Sequence, residues 1–234
     1  DGERLLPGWY AQFTHGQNGF HDAAWWANGS RYFLRDRLLY AQDSVVTMNV
    51  FSPDPITPIS KTYGGAYVDN NDGNELVLNP LQQTVQATVT LENDTFYLRS
   101  NFVKIVEADN PVNPVINSTT PSFIFSRSDY GFEQVNAFYH ISIYQNYLQS
   151  LGYSLVQYPI RVDAQGQNGN DNSSFNPGSN PLLSFGEGGV DDAEDADVVV
   201  HEYGHAISHS AAPNTNQGIE RQSLDEALGD YFAV

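Results

Sequence analysis

Cysteine is absent from the 234 residues, so neither disulfide staples nor thiolate chemistry can contribute to this protein. That absence leaves the compartment open. Basic residues are scarce: 10 Lys and Arg stand against 28 Asp and Glu, a formal net charge of −18. Binding to phosphates relies on clustered Lys and Arg, so this balance argues against nucleic acid or an anionic membrane surface as partner. The balance suits calcium, or simple solubility in a secreted setting. No apolar run approaches the roughly 20 residues that a membrane helix requires. An initiator methionine and a charged-then-apolar leader are also missing, since the chain opens on Asp1. At the other end Val234 falls inside a helical pattern without a glycine cap or a proline stop. Both ends read as those of a processed, secreted fragment whose signal peptide is already gone.

What the sequence does hold is concentrated in Val198–Val199–Val200–His201–Glu202–Tyr203–Gly204–His205–Ala206–Ile207, which contains H-E-x-x-H. On a helix, residues four apart share a face, so His201 and His205 offer two imidazole nitrogens to one point. Glu202, about 100° round the helix, can reach a metal-activated water without entering the coordination sphere, as a general base does. By itself the pattern also arises by chance. Twenty-one positions after His205, a second helical stretch carries Glu226 and Asp230 on one face. A catalytic zinc wants three protein ligands and one open position, and Glu226 is the candidate third ligand. Asp230 is positioned to accept the second ring N–H of a ligating histidine.

Glu226–Ala227–Leu228–Gly229–Asp230 behind His201–Glu202–Tyr203–Gly204–His205 resembles the gluzincin metallopeptidases of thermolysin and fungalysin type. The metzincin pattern fails, because Ser208 and Ala211 stand where it demands glycine and histidine, and His209 is read as a solvent or packing residue. Asp197, four residues before His201, matches an acidic position that binds structural calcium in thermolysin-like enzymes. It closes a run of five acids (Asp191, Asp192, Glu194, Asp195, Asp197) that the helix dipole alone could also account for. Asn172 and Ser173 lie where such enzymes hold the substrate as an added strand, with Ser173 departing from the usual alanine. A loop asparagine is otherwise a plain turn residue. The resemblance further implies a following helical lobe with oxyanion-stabilising groups, and an apolar substrate residue after the cleaved bond.

Upstream, residues 1–45 are aromatic-rich and read as a small β-rich unit, with a carbohydrate-binding platform as the sharper alternative and a loose likeness to the end of such a peptidase's propeptide. Val85, Ala87, Val89 and Leu91 alternate with polar residues as in a half-buried strand. Val46–Met48–Val50, Phe96–Leu98 and Phe123–Phe125 follow the same period. The loop around Asp69 and Asp72 lacks EF-hand spacing and reads as a turn. Period then shifts over 131–151, where Val135, Phe138, Ile141, Gln145, Leu148 and Leu151 predict a helix capped by Gly152. His140 on it reads as a packing or surface histidine. A short strand is expected at Leu155–Ile160, and N-x-[ST] sequons begin at Asn28, Asn93, Asn117 and Asn172.

These readings combine into an α+β fold. Its division would be 1–45, the aromatic segment, and 46–234, the β-rich lobe of a catalytic unit that stops inside the helix of the third ligand. The expected function is zinc-dependent peptide-bond hydrolysis with Zn2+ on His201, His205 and Glu226 and with Ca2+ as a structural ion. Partners would be a protein or peptide substrate and the C-terminal lobe of the same precursor, without which the unit should be inactive. The alternative from a different class is a non-catalytic, metal-stabilised binding or adhesion module.

Overall fold

Residues of period two assemble into a five-stranded sheet. In the computed structural model, residues 8–14, 20–26, 31–37, 41–64, 67 and 75–233 are described, the first three stretches by backbone alone. Strand β4 (Gln42–Val50) pairs antiparallel with β5 (Gln83–Glu92), setting Val46 opposite Ala87 and Met48 opposite Val85. The sheet runs β8 (Asn117–Ser118), β6 (Thr95–Tyr97), β5, β4, β9 (Ser122–Phe123), with β9 parallel to β4. Val46, Met48, Val50 and Val89 point into the main core, as the alternation predicts. Phe125, expected in the last strand, lies beyond it because its N–H donates to the Asn49 side chain at 2.9 Å instead of to a strand partner. Strand β4 also starts before position 46 and so crosses the expected division of the chain.

Upstream, β1 (Gly8–Thr14), β2 (Phe20–Trp26) and β3 (Arg31–Arg37) form an antiparallel meander, consistent with a β-rich unit. The side chains of this unit, and Asp69 and Asp72 of the turn-rich loop, lie outside the described residues. A single-turn helix α1 (Glu75–Leu78) precedes β5.

Helix α2 (Gly131–Ser150) is the axis of the core. Phe132, Val135, Phe138, Ile141, Gln145 and Leu148 are buried, and in its first half the helix is enclosed on further sides as well. His140 is a packing residue: its Nε2 lies 2.7 Å from the Phe51 carbonyl, and burial pushes its pKa down to about 4, so the ring is neutral. Gly152 takes a left-handed φ of 86° and turns the chain away, which leaves Leu151 exposed and not on the buried face expected for it.

The second sheet runs β11 (Ser174–Asn176), β12 (Leu182–Ser184), β10 (Ile160–Asp163), β7 (Val103–Ile105), parallel except for β11. Its strand β10 begins where the expected Leu155–Ile160 strand was to end. The cause is local: Val156 adopts φ 48° and donates its N–H to Ser210 Oγ at 2.9 Å, and Pro159 has no N–H to give. Ladder pairing starts only when the Ile160 N–H reaches the Phe102 carbonyl at 2.9 Å. Two further helices, α3 (Ala196–Ala211) and α4 (Ile219–Ala233), complete a mixed α+β architecture.

Candidate metal centre

Helix α3 is oriented from both ends of its chemistry. Asp195 caps it, accepting the Asp197 N–H on its side chain at 2.8 Å. Val199, Val200, Tyr203, Ala206 and Ile207 form a buried stripe, and Tyr203 donates its hydroxyl to Gln145 of α2 at 2.7 Å. With that stripe inward, His201 and His205 are turned outward, half-buried, their ring centroids 4.9 Å apart.

Helix α4 comes unusually close to this face because two glycines let it. A Cβ on Gly204 would meet the Gly229 Cα at 3.0 Å, and one on Gly229 would meet the His201 ring at 2.9 Å. The approach delivers Glu226 between the two imidazoles. Its Oε2 lies 3.2 Å from His201 Nε2 and 3.6 Å from His205 Nε2. These three ligand atoms lie within 4.8 Å of one another.

The other ring nitrogens are engaged by carboxylates. His201 Nδ1 lies 3.0 Å from Asp230 Oδ1, the contact expected of Asp230. His205 Nδ1 donates to Asp225 Oδ2 at 2.8 Å, a contact the sequence reading did not anticipate. Asp225 is buried and also receives Asn216 Nδ2 at 2.9 Å and Arg221 Nη1 at 3.2 Å, while Arg221 Nη2 donates to Ser208 at 2.7 Å. Burial alone would raise the Asp225 carboxyl, but the hydrogen bonds from Ser208, His205 and Arg221, with the charge of His205, hold it below its usual range. With His205 Nδ1 bonded to Asp225 and His201 Nδ1 3.0 Å from Asp230, each ring can take the tautomer that presents its Nε2 lone pair to a cation beside Glu226. Two imidazoles and one carboxylate converging on one open point is a donor set that suits zinc.

Glu202 is buried beside the candidate ligands and is not one of the converging three. Burial pushes its pKa upward; His205 and His201 act against this, and Glu226 and Asp192 reinforce it. A carboxylate raised in this way is a better proton acceptor.

Two hollows open onto Glu202, of about 460 Å³ and about 550 Å³. Asn172 and Ser173 border both. They precede β11 and are not part of it, and β11 is the edge strand of its sheet, paired only with β12 among the described residues. His209 lines the first hollow and packs on Phe175, with ring centroids 5.9 Å apart, a packing histidine as expected.

The acidic run has separate tasks. Asp195 is the cap, Asp192 accepts the Ser173 hydroxyl at 2.6 Å, and Glu194 is buried against Arg127, whose Nη2 lies 2.6 Å from Oε2. Glu133, Asp191 and Glu194 form a second buried group with ligand atoms within 4.8 Å of one another, in which Glu194 is held by that guanidinium. Asp197, the sequence candidate for calcium, is exposed and belongs to neither group.

Gly204, Gly229 and Asp225 are the site residues that sequence reading missed. Glycine at 204 and at 229, each inside a ligand-bearing helix, was the available signal of close packing. Compared with models of known protein families and with curated proteins, the chain matches none.

Proposed function

We propose that this chain carries the metal-binding half of a secreted zinc-dependent endopeptidase of thermolysin or fungalysin type, within a longer precursor that supplies a C-terminal lobe. The observation behind this reading is the convergence of His201 Nε2, His205 Nε2 and Glu226 Oε2 beside the buried, upward-shifted Glu202. Zinc bound there would act as a Lewis acid on the scissile carbonyl and acidify a water.

The chain's own residues do the rest. Asp225 and Asp230 would hold His205 and His201 in the tautomers that present Nε2 to the metal. Glu202 takes the proton of the attacking water and returns it to the leaving amine nitrogen. The edge of β11 that is unpaired among the described residues, with Asn172 and Ser173 just before it, would receive the substrate backbone as an added strand. A closed structural zinc site has no use for a base, which separates this reading from a metal-stabilised adhesion module.

The test is hydrolysis of casein or a fluorogenic peptide by the full-length protein, with and without a zinc chelator. Chelator-sensitive cleavage, restored by zinc, is expected. Zinc uptake without cleavage would favour the adhesion module.

A further inference from the structure

Arg221 stands in the first turn of α4, which begins at Ile219. The helix dipole disfavours a cation there, and a base four residues ahead of an acid is the weaker order for a pair along a helix. Arg221 also stands behind the residues that would hold a divalent cation, where simple electrostatics favours negative charge. A residue that breaks these local preferences points to a task set by the rest of the fold. Its contacts supply one, because they bridge two helices. Nη2 donates to Ser208 Oγ of α3 at 2.7 Å, and Nη1 donates to Asp225 Oδ1 of α4 at 3.2 Å. With Oδ1 so engaged, it is Oδ2 of Asp225 that meets His205 Nδ1, at 2.8 Å, and Asn216 Nδ2, at 2.9 Å. Ser208 follows His205 by three residues on α3, and both Ser208 and Asp225 are buried. Arg221 borders neither hollow that opens onto Glu202, but a third, largely apolar one beside Tyr144, Leu148 and Leu228.

We propose that Arg221 is a positioning residue of the metal centre: its guanidinium fork locks Asp225 of α4 to Ser208 of α3 and so holds the Asp225 carboxylate with one oxygen aimed at His205 Nδ1. Without the fork, a buried carboxylate with no cationic partner is drawn toward water and away from the ring. Lysine could not stand in, since a point charge on a flexible stem cannot hold two acceptors at the fixed angle of a planar fork. The clamp also fixes α4 against α3 next to Glu226, the carboxylate that completes the donor set. This inference rests on the proposed reading only in that the site takes zinc; it does not depend on cleavage.

Its test is the zinc affinity of the full-length protein, measured by competition with a chromophoric chelator at fixed pH and ionic strength, with circular dichroism checking the fold. Arg221→Met should weaken zinc by about tenfold. The sign is decisive, because removal of a nearby positive charge acting by electrostatics alone would tighten the binding of a cation. Arg221→Lys, which keeps the charge, should recover no more than about threefold of the loss. Ser208→Ala keeps the guanidinium and cuts one arm of the clamp, and it should weaken zinc by about threefold. In an Asp225→Ala background, Arg221→Met should change the affinity by less than about twofold, since the clamp acts through Asp225. A further tenfold loss there would overturn the proposal. If Arg221→Met does not fold, unchanged affinity in both Arg221→Lys and Ser208→Ala overturns it equally. Native protein that binds zinc, with Arg221→Met binding it as tightly or more tightly, would overturn the clamp and leave the endopeptidase reading standing. Clamp-dependent zinc binding with no chelator-sensitive cleavage would do the reverse.

Discussion

His205 Nδ1 and Asp225 Oδ2 lie 2.8 Å apart, and Asp225 immediately precedes Glu226, the carboxylate that completes the donor set. One helical turn therefore delivers both a candidate ligand and the group that orients another. Because Asp225 also binds Asn216 and Arg221, the orientation of His205 is tied to the α3–α4 connection.

Loss of this contact should weaken the metal more than the fold. Asp225→Asn keeps an acceptor and should lower zinc affinity by about tenfold, and Asp225→Ala by up to about a hundredfold. Competition with a chromophoric chelator measures both. Unchanged affinity in Asp225→Ala would show that His205 needs no partner.

Gly229→Ala sets two effects against each other. Alanine in a helix interior is favoured over glycine by about 1 kcal/mol. Here the new methyl would sit 2.9 Å from the His201 ring, which is held between Asp230 and Glu226. Overpacking of this kind costs about 1 to 3 kcal/mol, so the clash should win. A lower melting temperature in the apo protein and about tenfold weaker zinc binding are expected. A raised melting temperature with unchanged zinc affinity would contradict the close approach of α4.

Acid stability should depend on His140. Its folded pKa is pushed down to about 4, whereas the unfolded value is near 6.5, so below pH 6.5 the unfolded chain holds more protons. The stability this group contributes is complete above pH 6.5 and is lost as pH falls through 4, by about 3 kcal/mol. Asp192 and Asp195, each raised to about 6, act in the opposite direction: they cost stability above that pH, and the cost fades on acidification. Comparison with His140→Gln, which retains a donor for the Phe51 carbonyl, isolates the histidine. Denaturant unfolding at pH 7 and pH 4 should show the native protein losing more stability than the variant; equal losses would contradict a neutral buried ring.

The parts of this molecule legible in the sequence are those governed by local period. His201 and His205 at one-turn spacing, the alternation through Val85 to Val89, and the apolar rows of α2 all follow from how side chains project from a helix or a strand. Glu226 and Asp230 were legible for the same reason. What was not legible depends on contacts between distant segments. The Asp225–His205 bond requires the particular rotation of α4 on α3 that Gly204 and Gly229 permit. Glu194 meets Arg127 across 67 residues, and no local pattern in the acidic run distinguishes it from Asp195, the helix cap. The displaced strand at Ile160 turned on Val156 bonding to Ser210, 54 residues away.

The central claim is that Glu202 is a base beside a zinc held by other residues. Full-length protein with Glu202→Gln should retain one zinc per chain, read by metal analysis after dialysis. It should also lose at least about a hundredfold in the rate of fluorogenic-peptide hydrolysis. A Glu202→Gln protein that cleaves the peptide at the native rate would contradict the account.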